Sequence, residues 1–335
     1  MNIKSGSPFI VAEAAQGYEG NPTLASLLVK AAAYAGADAI KFQLVYADEI
    51  ATPDYQYYKL FEKLEMSPKE WRKVAAEAKR LGIELYFDVF GGRSFQLARA
   101  LGARGLKIHA TDFYHDDLLR KVLGSRIKVL LSCAGLCEEE LLELFERHPN
   151  ARQARVTYMH GFQAEPTPLA SNHLRRLRSL ADLCQPAGIG FMDHTDGGKE
   201  EAQELALLSL PFGVSVIEKH ITLDRELKLE DYVSALPPGK FRSFVRKVKK
   251  YEKALGLPQI QPGEDEARYR LKSAKVVVAS RKIKKGMILK EGDLKLFRIN
   301  NQENLPCIYD PRQAVGKKLQ IDAKKNYFIK ISKLQ

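Results

Sequence analysis

Eight short runs rich in β-branched, aromatic and leucine residues recur through the first 260 residues, and amphipathic stretches separate them. They are Phe9–Glu13, Ala39–Leu44, Ile83–Phe90, Gly105–His109, Lys128–Ser132, Arg155–His160, Gly188–Asp193 and Val214–His220. Between them, Thr23–Tyr34, Pro68–Leu81, Glu138–Arg147 and Phe241–Leu255 read as helices. In Ser67-Pro68-Lys69-Glu70 a serine N-cap precedes a proline at the first helical position and a glutamate three residues on, which starts a helix. Strand and helix alternating in this way predict βα units and a parallel sheet. Eight such units in sequence favour a closed (β/α)8 TIM barrel over an open doubly wound sheet. The first run is not followed by a G-x-G-x-x-G loop, which also argues against a dinucleotide-binding fold.

The barrel pattern leaves a remainder. At 335 residues the chain has room for one large domain, 1–256, and a small one. The turn-rich 257–270 reads as a linker, and 271–335 as a β-rich module with apolar strands at Val276–Ala279 and Tyr327–Ile331 and turns at Lys285-Gly286 and Asn300-Asn301. The formal charge of +12 is concentrated there: 271–335 holds 16 Lys and Arg against 5 Asp and Glu, which leaves the rest of the chain near neutrality. A basic appendage on a neutral body points to anionic ligands or to a lysine-rich solvated surface. Its aromatics are Phe297, Tyr309, Tyr327 and Phe328, without a nucleic-acid motif, so a nucleic-acid partner is not expected. The start, MNIKSGSP running into FIVAEA, has no signal-peptide pattern, and no stretch approaches the roughly 18 to 20 apolar residues of a membrane span. A cytoplasmic protein is expected. Cys133, Cys137, Cys184 and Cys307 lack paired C-x2-C spacing and are expected to be reduced thiols.

In such barrels the chemistry lies where strands end, and polar residues recur there strand after strand: Glu13, Lys41 and Gln43, Asp88, Lys107 and His109, Ser132, His160, Asp193 and His194, Glu218 and His220. Lysines and histidines inside apolar strands are costly unless paired or functional. His194 and His220 end neighbouring strands, so both imidazoles are placed to reach one divalent ion acting as a Lewis acid; the alternative is a capping Asp193 beside an exposed histidine. Lys41 and Lys107 suit a phosphate or carboxylate, the alternative being salt bridges to Glu13 or Asp88.

These motifs resemble the sialic acid synthase family across essentially the whole chain. The first βα unit with its KFQ at Lys41–Gln43, LKI at Leu106–Ile108, DHT at Asp193–Thr195 and IEKHITLD at Ile217–Asp224 are similar to its motifs, and Val276–Leu294 resembles the antifreeze-like (SAF, β-clip) domain that closes these enzymes. The resemblance implies condensation of phosphoenolpyruvate with an open-chain N-acetylmannosamine-type aldose to a 3-deoxy-2-ulosonic acid and phosphate. It implies Mn2+ or Mg2+ on His194 and His220, phosphoenolpyruvate on Lys41 and Lys107, the sugar on Gln43 and Asp231, and Glu13 as the carboxylate nearest the reacting carbons. It also implies a domain-swapped homodimer in which Arg268, Arg270 or Lys272 reaches the other barrel.

The chain departs from the family at Gly17-Tyr18, at Ala110-Thr111-Asp112, at Gln163-Ala164-Glu165-Pro166 and at Met192. Ser132 and Gln163 remain as donors for phosphoenolpyruvate. The sugar side acquires Glu165 for a tyrosine and Asp112 for a glutamate, for which a changed aldose is the simplest explanation. Two other readings stay open: a metal-dependent aldolase or isomerase that does not use phosphoenolpyruvate, and a non-catalytic carbohydrate- or nucleic-acid-binding protein using the basic module.

Overall fold

Each of the eight runs forms a strand, and the strands pair in parallel and in chain order until β8 closes on β1. The structure is a computed structural model and describes residues 7–300 and 306–335. The elements run β1 (Phe9–Ala15), α1 (Pro22–Ala35), β2 (Ala39–Gln43), α2 (Ala47–Ile50), α3 (Tyr58–Leu64), α4 (Pro68–Leu81), β3 (Glu84–Asp88), α5 (Gly92–Ala100), β4 (Gly105–Ile108) and α6 (Asp116–Gly124). They continue with β5 (Lys128–Ser132), α7 (Glu138–Arg147), β6 (Val156–His160), α8 (Arg176–Cys184), β7 (Gly188–Asp193), β8 (Val216–His220) and α9 (Pro238–Glu252). The Ser67 cap forms as expected: Glu70 N–H donates to Ser67 Oγ at 3.3 Å and Ser67 N–H to the Glu70 carboxylate at 2.8 Å. Between β7 and β8 the chain crosses in two 3-10 segments, Glu200–Gln203 and Leu205–Phe212, where Pro211 removes an amide donor and Gly213 (φ 77°) turns the chain into β8.

Strand alternation divides the side chains between two cores. Outward residues such as Phe42, Phe87, Ile108 and Ile217 pack with Trp71 and the helices, where Trp71 lies edge-on to Tyr18, Phe42 and Phe87. Inward residues form a separate apolar layer of Val11, Ala39, Tyr86, Leu130, Met159, Met192 and Val216. Two glycines make room in it. A Cβ at Gly105 would fall 2.0 Å from the Tyr86 ring, and one at Gly190 2.4 Å from Met159 Sδ. Two residues further along most of these strands the inward face turns polar, which places the inward charged groups at the C-terminal end of the barrel.

A second unit begins at Pro258, and the barrel unit ends at Leu257. Its own core is built on Val277, Ala279, Ile283, Leu289, Leu294, Ile308, Leu319 and Ile329. It differs from the sequence expectation in three places. The stretch read as linker, 257–270, is helical from Glu264 onward in α10 (Glu264–Ser273), where acidic residues in the first turn and Arg270 and Lys272 in the last complement the helix dipole. β9 (Val276–Ala279) pairs antiparallel with β10 (Leu294–Phe297), a strand the sequence reading missed. The expected strand Tyr327–Ile331 is reduced to single bridges from Phe328 to Val278 and from Lys330 to Cys307, since a left-handed Asn326 precedes it and a 3-10 turn at Ile331–Lys333 ends it. The turn expected at Asn300-Asn301 runs into 301–305, outside the described residues.

Candidate active site

The polar layer holds two cations and three anions sealed from water. Lys41 is fully buried, 2.8 Å from Asp88 Oδ1, 3.6 Å from Glu218 Oε2 and in contact with the Glu13 carboxylate. Lys107 Nζ lies 2.6 Å from Glu218 Oε1. Register explains the meeting: Glu13 stands beside Lys41 on β1–β2 and beside His220 on β1–β8, and Asp88 beside Lys107 on β3–β4. Burial alone would disfavour the Glu218 carboxylate, but Lys107 and Lys41 outweigh it and hold it down to about 2. Burial likewise works against the Lys107 ammonium, and Glu218 and Asp88 more than offset it, so its pKa is raised. For Lys41, burial prevails over Asp88 and Glu218 and lowers it.

Above this layer lies a cavity of about 190 Å³. Glu13, Asp88, Lys107 and Glu218 form its charged wall, and Gln43, His109, His194 and His220 its rim. Gln163, Glu165 and Asp231 reach it from the loops after β6 and β8. Glu13 bends back to accept from Ala15 N–H at 2.7 Å. The Gln43 amide oxygen accepts from Gln16 Nε2 at 2.7 Å, and Gln16 N–H donates to Asp231 Oδ2 at 3.3 Å, so Gln16 ties together two of the expected sugar residues. Burial first, and Asp231 next, push the Glu165 carboxyl up to about 9, so Glu165 keeps its proton near neutrality.

The rings of His194 and His220 stand 5.0 Å apart, and the buried Nδ1 of each has no hydrogen-bond partner. Burial first, then Lys107, holds His194 down to about 3; burial and then His194 hold His220 well below the usual histidine range. Both are therefore neutral at pH 7, the form that binds a metal. Two adjacent neutral imidazoles with unsatisfied ring nitrogens, both lining this cavity, fit a divalent ion. Among the described residues no group of three or more His, Cys, Asp or Glu side chains is arranged to hold one, so further ligands would be oxygens of substrate or water. The His194 loop is clamped from outside the barrel: the buried Lys219 ammonium donates to Asp193 Oδ1, Thr195 O and Thr195 Oγ1, each at 3.1 Å, and Ser234 Oγ donates to His194 O at 2.8 Å.

Several expected residues lie elsewhere. Lys41 does not reach the cavity, being sealed behind Glu13, Asp88 and Glu218. Ser132 is buried, its hydroxyl 3.5 Å from the Ala134 amide, and does not line the cavity. Asp112 lies outside the lining and is held by Thr111 Oγ1 at 3.1 Å. Two strand-end residues, His160 and Asp193, face the helix layer because their strand parity points them outward. His160 Nε2 bonds Asn172 O at 2.8 Å, and Asp193 pairs with Lys219. Lys219 and Gln16 escaped the sequence reading; for Lys219 the available signal was its alternation with Glu218 and His220 in EKH. A larger cavity, about 640 Å³, opens between the loops after β5 and β6 and is lined by Cys133, His173 and Arg176 among others. It has none of the inward charged residues, which gather at the smaller one.

The sequence pattern of the NeuB family matches residues 28–259. The chain is 28% identical to the N,N'-diacetyllegionaminic acid synthase of Campylobacter jejuni, over 87% of this chain and 90% of that protein. Among solved structures, the N-acetylneuraminic acid (sialic acid) synthetase of Leptospira borgpetersenii, in complex with citrate, superposes with a TM-score of 0.73 at 25% identity, covering 79% of this chain and 92% of that one. The spore coat polysaccharide biosynthesis protein spsE of Bacillus subtilis shares the fold, with a TM-score of 0.65 at 24% identity over 99% of this chain and 96% of that one.

Proposed function

The chain belongs to the NeuB family, and from that premise we propose that it is a sialic-acid-synthase-type enzyme that condenses phosphoenolpyruvate with an open-chain, N-acetylmannosamine-like aldose, giving a 3-deoxy-2-ulosonic acid and phosphate. The observation that carries the reading is one cavity lined by both a buried cationic group, Lys107, and two adjacent neutral imidazoles with unsatisfied nitrogens, His194 and His220. A divalent ion held by His194 and His220 would supply Lewis acidity toward the aldehyde oxygen. Lys107 binds and orients the phosphoenolpyruvate, with Lys41 adding its field from behind the wall. Gln43, Asp231 and Glu165 bind the aldose hydroxyls; Glu165 keeps a carboxyl proton to donate while Asp231 accepts. Glu13, bent toward the Ala15 amide, orients the water that adds to phosphoenolpyruvate.

Charge balance makes the metal part of this reading. Lys41 and Lys107 face Glu13, Asp88 and Glu218, so the unliganded layer carries one net negative charge, which repels a trianionic enol phosphate. A divalent ion held by His194 and His220 would reverse that sign. The same excess of carboxylates favours a second reading, a metal-dependent aldolase or isomerase acting on a neutral sugar without phosphoenolpyruvate.

The experiment that separates them is phosphate release from phosphoenolpyruvate with Mn2+ against a panel of N-acetylated, diacetamido and plain aldoses, with product mass as readout. Release that needs both metal and aldose, with a product of the summed carbon skeletons, is the expected result. Turnover of a sugar without phosphate release would replace the reading by the second.

A further inference from the structure

His109 stands in the same cavity as Lys107, His194 and His220 and has no part in the reaction drawn above. It follows β4, two residues after Lys107, on the inward face. Its Nδ1 lies 3.1 Å from Thr111 Oγ1, and that oxygen lies 3.1 Å from Asp112 Oδ2. A hydroxyl has one proton, and an ionised carboxylate only accepts, so the threonine proton points to Asp112. Nδ1 must then supply the proton of its own bond to Oγ1. The competing arrangement, Thr111 N–H donating to Nδ1, spans 3.5 Å, beyond the usual range of such bonds. The shorter Asp112–Thr111–His109 chain therefore favours the Nδ1–H tautomer, which leaves the Nε2 lone pair free, and no donor among the described residues bonds it. Burial and the Lys107 ammonium hold the ring down to about 4, so it is neutral at pH 7.

A free lone pair accepts from an O–H, and Gln43, Asp231 and Glu165 already engage the aldose hydroxyls. Phosphoenolpyruvate presents only acceptor oxygens, and the O–H that must approach its C2 is water. We propose that His109 is a catalytic acid–base residue of the condensation, its Nε2 taking a proton from the water that adds to C2 and passing it to the departing phosphate. The inference rests on the phosphoenolpyruvate reading. As C3 bonds to the aldehyde carbon, the C2=C3 electron pair forms the new bond and C2 becomes electron-deficient. The water oxygen bonds to C2; the C2–O bond to phosphate breaks, and its electron pair leaves with the phosphate oxygen. One water proton reaches the phosphate through His109 and the other ends on the former aldehyde oxygen. Phosphoenolpyruvate, aldehyde and water thus give the keto acid and hydrogen phosphate with no further reactant. Asp112, through Thr111, orients the ring and stabilises it while it carries the proton, so Asp112 is a positioning residue.

Two measurements test this. In long-range 1H–15N spectra of the histidine rings, with His109→Gln assigning the signal, a protonated Nδ1 and bare Nε2 are expected; a protonated Nε2 overturns the proposal without reference to turnover. In steady-state kinetics, His109→Ala and His109→Gln are expected to lower kcat by about 10²-fold or more, the usual share of acid–base catalysis, with both KM values within about threefold. Added imidazole should restore part of the rate to His109→Ala and none to His109→Gln, whose amide fills the space without carrying a proton. A kcat near wild type, a loss confined to KM, or no rescue overturns the proposal. A wild-type protein that releases no phosphate with any aldose registers instead as failure of the underlying reaction, and the proposal falls with it.

Discussion

Lys107→Met, Glu218→Gln and their double variant measure how strongly the buried charge layer is coupled. The Nζ–Oε1 separation is 2.6 Å, and both side chains are all but sealed from water, at 2% and 1% exposure. At an effective dielectric of about 20, two unit charges at that distance attract by about 6 kcal/mol, and most of this offsets the cost of removing both from water. Removing one partner leaves the other buried and poorly compensated, for which about 3–5 kcal/mol is typical. Lys107→Met belongs at the low end of that range, because Glu218 keeps Lys41 at 3.6 Å. The double variant should lose less than the sum of the singles by about 2 kcal/mol, within the span of measured couplings between contacting residues. Trp71 is the chain's single tryptophan and is buried in the barrel unit, so its fluorescence in urea at pH 7 reports that unit alone. The coupling should hardly change between 0.1 and 1 M NaCl, since a buried pair is poorly screened. Additive losses, with coupling under about 0.5 kcal/mol, would refute the idea that Lys107 and Glu218 act as one unit.

Three further outcomes are expected. His220→Ala should abolish metal-dependent turnover and weaken Mn2+ binding by calorimetry while leaving the circular dichroism spectrum intact; undiminished turnover with metal present would remove this histidine from the site. Glu165 has a folded pKa raised above its unfolded value, so it costs nothing below about pH 4.5 and opposes folding increasingly as pH rises toward 9. Glu165→Gln should accordingly raise Tm at pH 8–9 and leave it unchanged at pH 4, and an equal shift at both values would contradict the Asp231 pairing. Gly105→Ala forces a methyl into the Tyr86 ring and should destabilise the barrel by about 1–3 kcal/mol or more by urea unfolding, whereas a neutral result would mean that the inner layer is loosely packed.

The barrel was legible because its signal is local. Runs such as Lys128–Ser132 and Gly188–Asp193 coincide with β5 and β7, and the Ser67 cap and α4 start where the sequence places them, since capping and apolar period depend only on near neighbours. The second unit was read less well. Its strands are short and paired by distant residues, so the Leu294–Phe297 strand carries little pattern of its own and the Tyr327–Ile331 stretch shows more apolar character than ladder. The helix at Glu264–Ser273 is mostly polar and buries none of its residues, so it offers no apolar stripe to detect.

The sequence by itself determined the number and order of the βα units and the presence of polar residues at strand ends, because strand period and chain order are properties of the chain. Only the tertiary structure decided which of those residues meet. Closure of the barrel brings β8 beside β1 and carries Glu218 to Lys107, 111 positions away. Parity turns His160 and Asp193 out toward the helices while it turns His109, His194 and His220 in. The lysines, read either as ligands for an anion or as salt-bridge partners of Glu13 or Asp88, pair with carboxylates from other strands, Lys41 with Glu13 and Asp88 and Lys107 with Glu218, and that choice depends on distances across the barrel that no local pattern encodes.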